Sequence, residues 1–298
     1  MLIKKALCPM IVLLTLILVG KSHSLKCSTP PEIKNWWKRN FSINGGLGAN
    51  LITYQAWGLP PRTRPSTWVI NSNINIRIGQ FNMPLGLIFS EQERKFLQPF
   101  NQYGISPGFK WLRFHAGYRS MTFSNYTLNG VVFLGGGIEI NPGKLRFACM
   151  YGRLNRAVAE DTISTSQSFA SFRRTGAGIK LGLGTSKSYL DLIYFQASDD
   201  QNSIPYIPIK NNLKPEENKV FGLNQRLGIG ALFIENDAAL SVYTRDLRDA
   251  LTPIQTDFKI LDNIGNWLKP KISTQFSTAF HSAVGVQLKR VQFRLQYK

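Results

Sequence analysis

From about residue 40 to the end, apolar and polar side chains alternate with a period of two, and helical periodicity is nearly absent. Phe41, Ile43, Leu47, Ala49 and Leu51 oppose Ser42, Asn44, Gly46, Gly48 and Asn50. Trp68, Ile70, Ile74, Ile76 and Ile78 oppose Asn71, Asn73, Asn75 and Arg77, and in KWLRFHAGYRSM Leu112, Phe114, Ala116 and Tyr118 oppose Arg113, His115, Gly117 and Arg119. Next come Val131 to Asn141 and Leu145 to Leu154, joined by the hairpin signal Asn141-Pro142-Gly143-Lys144. Thr175 to Gly184, Tyr189 to Ala197, Val220 to Ile234, Ala238 to Arg245, Ser273 to Leu288 and Val291 to Lys298 complete a set of eleven predicted strands.

A soluble β-sandwich alternates too, so the second face decides between the readings. Here it carries Gly, Asn, Gln, Ser and Arg rather than the Lys, Glu and Thr of a water-facing sheet. Strands of roughly 9 to 11 residues suit a tilted bilayer crossing better than the usual 5 or 6 of soluble sheets. Connections alternate long and short from the third strand onward: 122 to 130, 155 to 174, 198 to 219 and 246 to 272 against tight turns at 141–144, 185–187, 235–237 and 289–290. That alternation is the build of an outer-membrane barrel, in which closing the sheet pairs every amide that lipid cannot satisfy. Trp36, Trp37, Trp57, Trp68 and Trp111 fall near predicted strand ends, where interfacial belts lie. The predicted fold class is therefore an all-β, antiparallel transmembrane β-barrel with about eleven strands.

An odd strand number leaves the two termini on opposite sides, whereas bacterial single-chain barrels have an even number. The expectation is a barrel truncated before closure, or a count short by one strand. Phe81 to Phe89 is the best place for the missing strand, and Pro84 argues against it. The segment 80–109 is otherwise too long for a routine turn. It reads either as a plug or as a periplasmic segment.

Residues 1–24 open with the lysine pair Lys4-Lys5, followed by an apolar stretch from Ala6 to Gly20 and a small polar end, the layout of a cleavable secretory signal. The predicted domains are thus a signal peptide at 1–24, a periplasmic N-terminal segment at 25–40 and the barrel at 41–298. The formal charge is +19, and removing the three lysines of the leader still leaves a strongly basic chain. An exported chain without a recognition helix or zinc finger argues against nucleic acid as a partner. The expected partners are outer-membrane lipid, the barrel assembly machinery and an envelope protein engaged by the outer loops, in the cell outer membrane of a Gram-negative organism. Cys27 and Cys149 remain after processing and are expected as free thiols rather than a disulfide framework.

At GISPGFKWLRFHAGYRSMTFSNYTLNG (104–130) and RRTGAGIKLGLGTSKSYLDLIYFQASDDQNS (173–203) the chain resembles outer-membrane β-barrel proteins of Bacteroidota. The resemblance runs from about residue 40 to the end and rests on moderately specific, glycine-rich strands. It implies an outer-membrane address and a β-barrel fold, and carries no activity and no functional residues.

The phase opposite the apolar positions collects candidate lumen-lining bases: Arg77, Arg113, Arg119, Arg146, Lys180, Arg226, Arg245 and Arg294, against Glu139 and Asp191. A lumen so lined attracts anions. The structural alternative is that these bases pair with acids and brace the barrel. Gly176, Gly178, Gly182 and Gly184 have period two and no following helix, unlike a dinucleotide fingerprint. Together with glycines 46, 48, 135, 137, 222, 228 and 230, they predict close approach of an internal segment, or an open narrow bore. Asp199-Asp200 could ligate calcium in an outer loop, or be a solvated turn. His115 and His281 face inward without a serine in a nucleophile elbow, so neither catalytic residues, cofactor nor metal is expected. Two functions stay open: a porin-like or plugged barrel that passes or binds anionic solutes, and a non-conducting binding or assembly module acting through its extracellular loops.

Overall fold

The structure is a computed structural model, which describes residues 40–55, 65–91, 101–160, 170–205, 213–252, 268–287 and 292–297. The expected signal peptide, most of the N-terminal segment and the turn at Lys289-Arg290 lie outside the described residues. Residues 41–298 form one compact unit. Their strands are β1 (Phe41–Thr53), β2 (Ser66–Ile78), β3 (Phe81–Ser90), β4 (Gln102–Ile105), β5 (Gly108–Phe109), β6 (Leu112–Thr122), β7 (Asn129–Ile140), β8 (Leu145–Asn155), β9 (Arg173–Gly184), β10 (Tyr189–Asp200), β11 (Glu217–Ile229), β12 (Leu232–Thr244), β13 (Thr274–Gln287) and β14 (Gln292–Tyr297). All pair antiparallel in chain order, with β4 and β5 as two pieces of one interrupted strand between β3 and β6. Among the described residues no ladder joins β14 to β1.

The fold is the expected all-β barrel, with two strands more than the alternation revealed. Within the segment 80–109, the described residues 81–90, 102–105 and 108–109 belong to the wall: β3 pairs with β2 from Phe81 to Ser90, and the interrupted strand follows, while residues 92–100 lie outside the described residues. Pro84 is tolerated for a local reason. Its carbonyl accepts the Ser106 amide at 3.0 Å, so its missing N–H points the same way, at the Ser106-Pro107 break between β4 and β5. The ladder bond that proline removes lies where the neighbouring strand is itself broken. A second correction concerns the turn expected at Glu235–Asp237. The hairpin closes instead at Gly230-Ala231, where Gly230 takes φ +62, and both acids lie within β12.

The sheet is strongly curled. Six ladder steps separate β6 from β12, about 29 Å on a flat sheet at ~4.8 Å per step. Yet Asn125, three residues beyond β6, donates its amide to the Asp237 carboxylate of β12 at 2.9 Å. Three extended residues reach only about 10 Å, so the wall must bend round until β12 faces the end of β6. The segment 123–128 is a strap laid across the concave side. Phe123 N donates to Leu128 O at 2.7 Å, which folds the strap back on itself.

One face of the wall buries Phe133, Ala148, Met150, Leu154, Ile193 and Phe195 with Met121, Phe123 and Leu128. The other leaves large apolar side chains exposed on strand after strand, among them Leu47, Leu51, Ile179, Leu181, Leu183, Leu192, Ile229 and Leu295. So broad an apolar belt is foreign to a water-soluble surface and suits a hydrocarbon environment. A 12-residue strand tilted by about 40° covers ~30 Å, enough to cross a bilayer core. Trp68 and Trp111 sit exposed at opposite ends of the wall, at the long-loop and short-turn ends respectively. Trp36, Trp37 and Trp57 lie outside the described residues.

Candidate functional site

The inner face is divided. Along β1 to β3 its polar side chains Asn44, Asn50, Asn71 and Asn73 are exposed, with no side chain over Gly46 within 4 Å. Along β6 to β12 the strap and its apolar partners fill the concavity. The inward glycines are where the filling comes closest: a Cβ at Gly178 would lie 2.8 Å from the Phe123 ring, and one at Gly222 would lie 2.5 Å from the Thr127 methyl. Close approach of an internal segment is therefore realised, by 123–128, which the sequence placed in an outer loop.

Most of the eight candidate bases serve the wall. Arg146 of β8 grips Asp191 of β10 with two parallel bonds, Nε to Oδ1 at 2.7 Å and a terminal nitrogen to Oδ2 at 2.8 Å, and Asp191 is only 1% exposed. Such a fork compensates a carboxylate that could not otherwise be held charged at that depth. Gly182 makes room for it, because a side chain there would overlap Asp191. Arg226 of β11 pairs with Glu235 at 2.7 Å, and Arg294 of β14 meets the other oxygen at 3.0 Å, tying three strands through one acid. Lys180 stands over the Phe123 ring at 5.7 Å.

Arg119 mends the broken strand. Its guanidinium donates to Pro84 O at 2.6 Å and to Gly104 O, lying over Gly86 and Gly104, whose missing side chains leave the groove it occupies. Arg113 lies 3.9 Å from Glu139, and Arg77 is exposed on the inner phase of β2. Arg245 follows the last residue of β12 and lies beyond the wall strands.

Three functional acids, Glu235, Asp237 and Glu216, and two bases, Arg173 and Arg174, escaped the sequence reading. Glu235 and Asp237 were hidden by the misplaced turn. A Gly-Ala turn between Ile229 and Leu232 was the available signal, since it puts both acids on the inner phase. Arg174, just outside its expected strand, binds both Asp199 oxygens at 2.7 and 2.8 Å and Glu216 at 2.8 Å. Arg173 pairs with Asp200. Both carboxylates of the calcium candidate are thus engaged by arginines. Cys149 is a free thiol. Among the described residues no group of three or more His, Cys, Asp or Glu is gathered for a metal.

His115 links Ser106 and Glu139: Ser106 Oγ lies 2.9 Å from Nδ1, and Nε2 lies 3.1 Å from Glu139 Oε1. The elements of a nucleophile, base and orienting acid are adjacent, but Ser106 and His115 are both buried, and the trio bonds the strand break to β6 and β7. It works as a polar brace. His281 stands cross-strand from Asp237 on the inner face and is buried as well.

A pocket of about 240 Å³ opens at the short-turn end of this wall, lined by residues that include Asn82, Gly108, Trp111, Arg113 and Glu139.

No family model matches the chain, and no curated protein does, so the resemblance to Bacteroidota barrels gains no support from these comparisons. Among solved structures the chain is similar to OccK8 (OprE), an outer-membrane porin of Pseudomonas aeruginosa. The identity is 13% and the TM-score 0.35, over 83% of this chain and 64% of that one. The chain thus spans less than two thirds of that porin's length.

Proposed function

We propose that the chain is an outer-membrane barrel of restricted bore, filled along β6 to β12 by its own strap and leaving a hydrated, asparagine-lined passage beside β1 to β3. The division of the inner face supports this reading above all. A polar wall left exposed inside a barrel invites water and polar solutes, and Arg77 and Arg113 bias that path toward anions. Arg119, Arg146, Arg226 and Arg294, paired with Asp191 and Glu235 or bound to backbone carbonyls, are braces and add little to selectivity. Export through the leader, insertion by barrel assembly machinery and an outer-membrane address complete the proposal, with lipid against the apolar belt. The Bacteroidota resemblance remains part of this proposal only as an expectation.

The test is planar-bilayer conductance of the full-length refolded chain. A small current with an anion-preferring reversal potential is expected, rising when Ser124 to Thr127 are replaced by Gly-Ser-Gly-Ser. Absence of current both before and after that replacement would defeat the pore and favour the non-conducting module, whose loops at 156–172, 201–216 and 245–273 would then engage an envelope partner.

A further inference from the structure

One row of the ladder crosses the outer face from β9 to β13 as Leu183, Leu190, Gln225, Asn236 and Ser282. The two leucines suit hydrocarbon, and the three side chains that follow do not. They sit inside their strands rather than at the ends. The residues two positions away on the same face are apolar and exposed: Leu223 and Leu227 on β11, Ile234 on β12, Phe280 and Val284 on β13. A polar patch three strands wide therefore lies within the apolar belt.

Ser282 Oγ donates to Asn236 Oδ1 at 2.8 Å, which uses one lone pair of that amide. The Asn236 nitrogen and the whole Gln225 amide have no partner among the described residues. Both side chains are part-exposed on the outer phase, so they can be reached from outside the wall. Hydrocarbon offers an amide neither donor nor acceptor, and leaving it bare there is costly. The patch thus asks for a partner that lies in the membrane at the same depth and carries both. A second copy of this chain meets both demands. Two copies inserted in the same sense hold Asn236 at one depth, and a two-fold axis along the membrane normal sets that amide against itself, each nitrogen donating to the other oxygen. The same operation lays a groove of about 350 Å³, lined by Leu183, Leu190 and Leu227, opposite the flank of the other copy from which Val284 and Leu295 project. Two convex walls can share only a strip a few strands wide, and the patch has that width.

We infer that the outer face of β11 to β13 is the interface of a homodimer in the membrane, centred on Asn236. The inference rests on the reading above only in that the apolar belt lies in lipid. Cysteine trapping tests it on the full chain refolded into phospholipid vesicles at high lipid excess, with the native cysteines replaced by serine. Ala238→Cys, beside Asn236 on the same face, should give a covalent dimer with a short thiol cross-linker, while Tyr151→Cys, exposed on the outer face of β8, should stay monomeric. Adding Asn236→Leu should cut the trapped dimer about tenfold, and Asn236→Gln, which keeps an amide, should recover part of it. Heat-modifiable gel mobility shows that each variant is folded. The unfolding midpoint of Asn236→Leu should not fall, because leucine suits lipid; a fall with trapping unchanged would make Asn236 a brace for Ser282 and overturn the interface. Monomers throughout would mean that lipid or a different barrel covers the patch and would overturn the second copy, as would equal trapping at Tyr151→Cys. A chain that inserts as a monomer keeps the barrel and loses the interface; one that does not insert into vesicles removes the reading above and the interface with it.

Discussion

The strands β1 to β3 and the strands β6 to β12 share one outer face and differ completely on the inner one. Both present apolar side chains outward, Leu47 and Leu51 in the first region and Leu181 and Leu192 in the second. Inward, the first region leaves asparagines exposed, while the second buries Phe133, Met150, Ile193 and Phe195 under the strap. The outer face is apolar in both regions. Inside, each region is free either to pack or to stay wet, and neighbouring side chains settle which.

The largest expected difference between the regions is in packing. Phe133 is wholly buried, and Phe133→Ala should destabilise the barrel by about 3–5 kcal/mol in detergent unfolding. Asn73→Ala, exposed on the open side, should change it by less than about 0.5 kcal/mol. Equal losses at the two positions would mean that both halves are packed.

Charge comes next. Arg146→Ala strands the Asp191 carboxylate and should cost about 3 kcal/mol or more, with Arg146→Met no better because the acid is still left alone. Arg77→Ala, exposed on the open side, should leave unfolding within about 0.5 kcal/mol of wild type and shift only the reversal potential.

Glycine substitutions give a smaller contrast. Gly222→Ala drives a methyl against Thr127 and should cost about 1–3 kcal/mol while loosening the strap, seen as increased conductance. Gly46→Ala meets nothing within 4 Å and should be neutral in both measurements. A silent Gly222→Ala would show that the strap does not bear on the wall.

The smallest effect belongs to a loop above the filled region. Arg248 donates to both Asp246 oxygens, at 2.9 Å each, and holds that carboxyl below its ordinary value. A depressed carboxyl contributes stability above its unfolded value, near 4, and loses it as pH falls through the lower folded one. Arg248→Gln should therefore lower the melting temperature slightly at neutral pH and flatten its decline below about pH 4, with no change in conductance.

Much of the wall was legible along the chain. Nine of the eleven expected strands match one strand each of the sheet in place and phase, because an apolar outer face and a polar or glycine-lined inner one force alternation residue by residue. The failures have local causes. Pro84 disguised β3, since the break opposite it that makes proline harmless lies more than twenty residues further on. The apolar run around Gly230 gave no polar pair to mark the turn, so Glu235 and Asp237 were read as its tip. The strap looked like an outer loop because FSNYTL is short, polar in the middle and placed between two strands.

The sequence by itself determined that this chain makes antiparallel strands with an apolar and a polar face, since alternation is a property of adjacent residues. Only the tertiary structure decided which polar residues brace the wall, which stay exposed and where the strap lies. Those outcomes depend on curling the sheet until residues as far apart as Asn125 and Asp237 meet, and no local pattern records a contact across that distance.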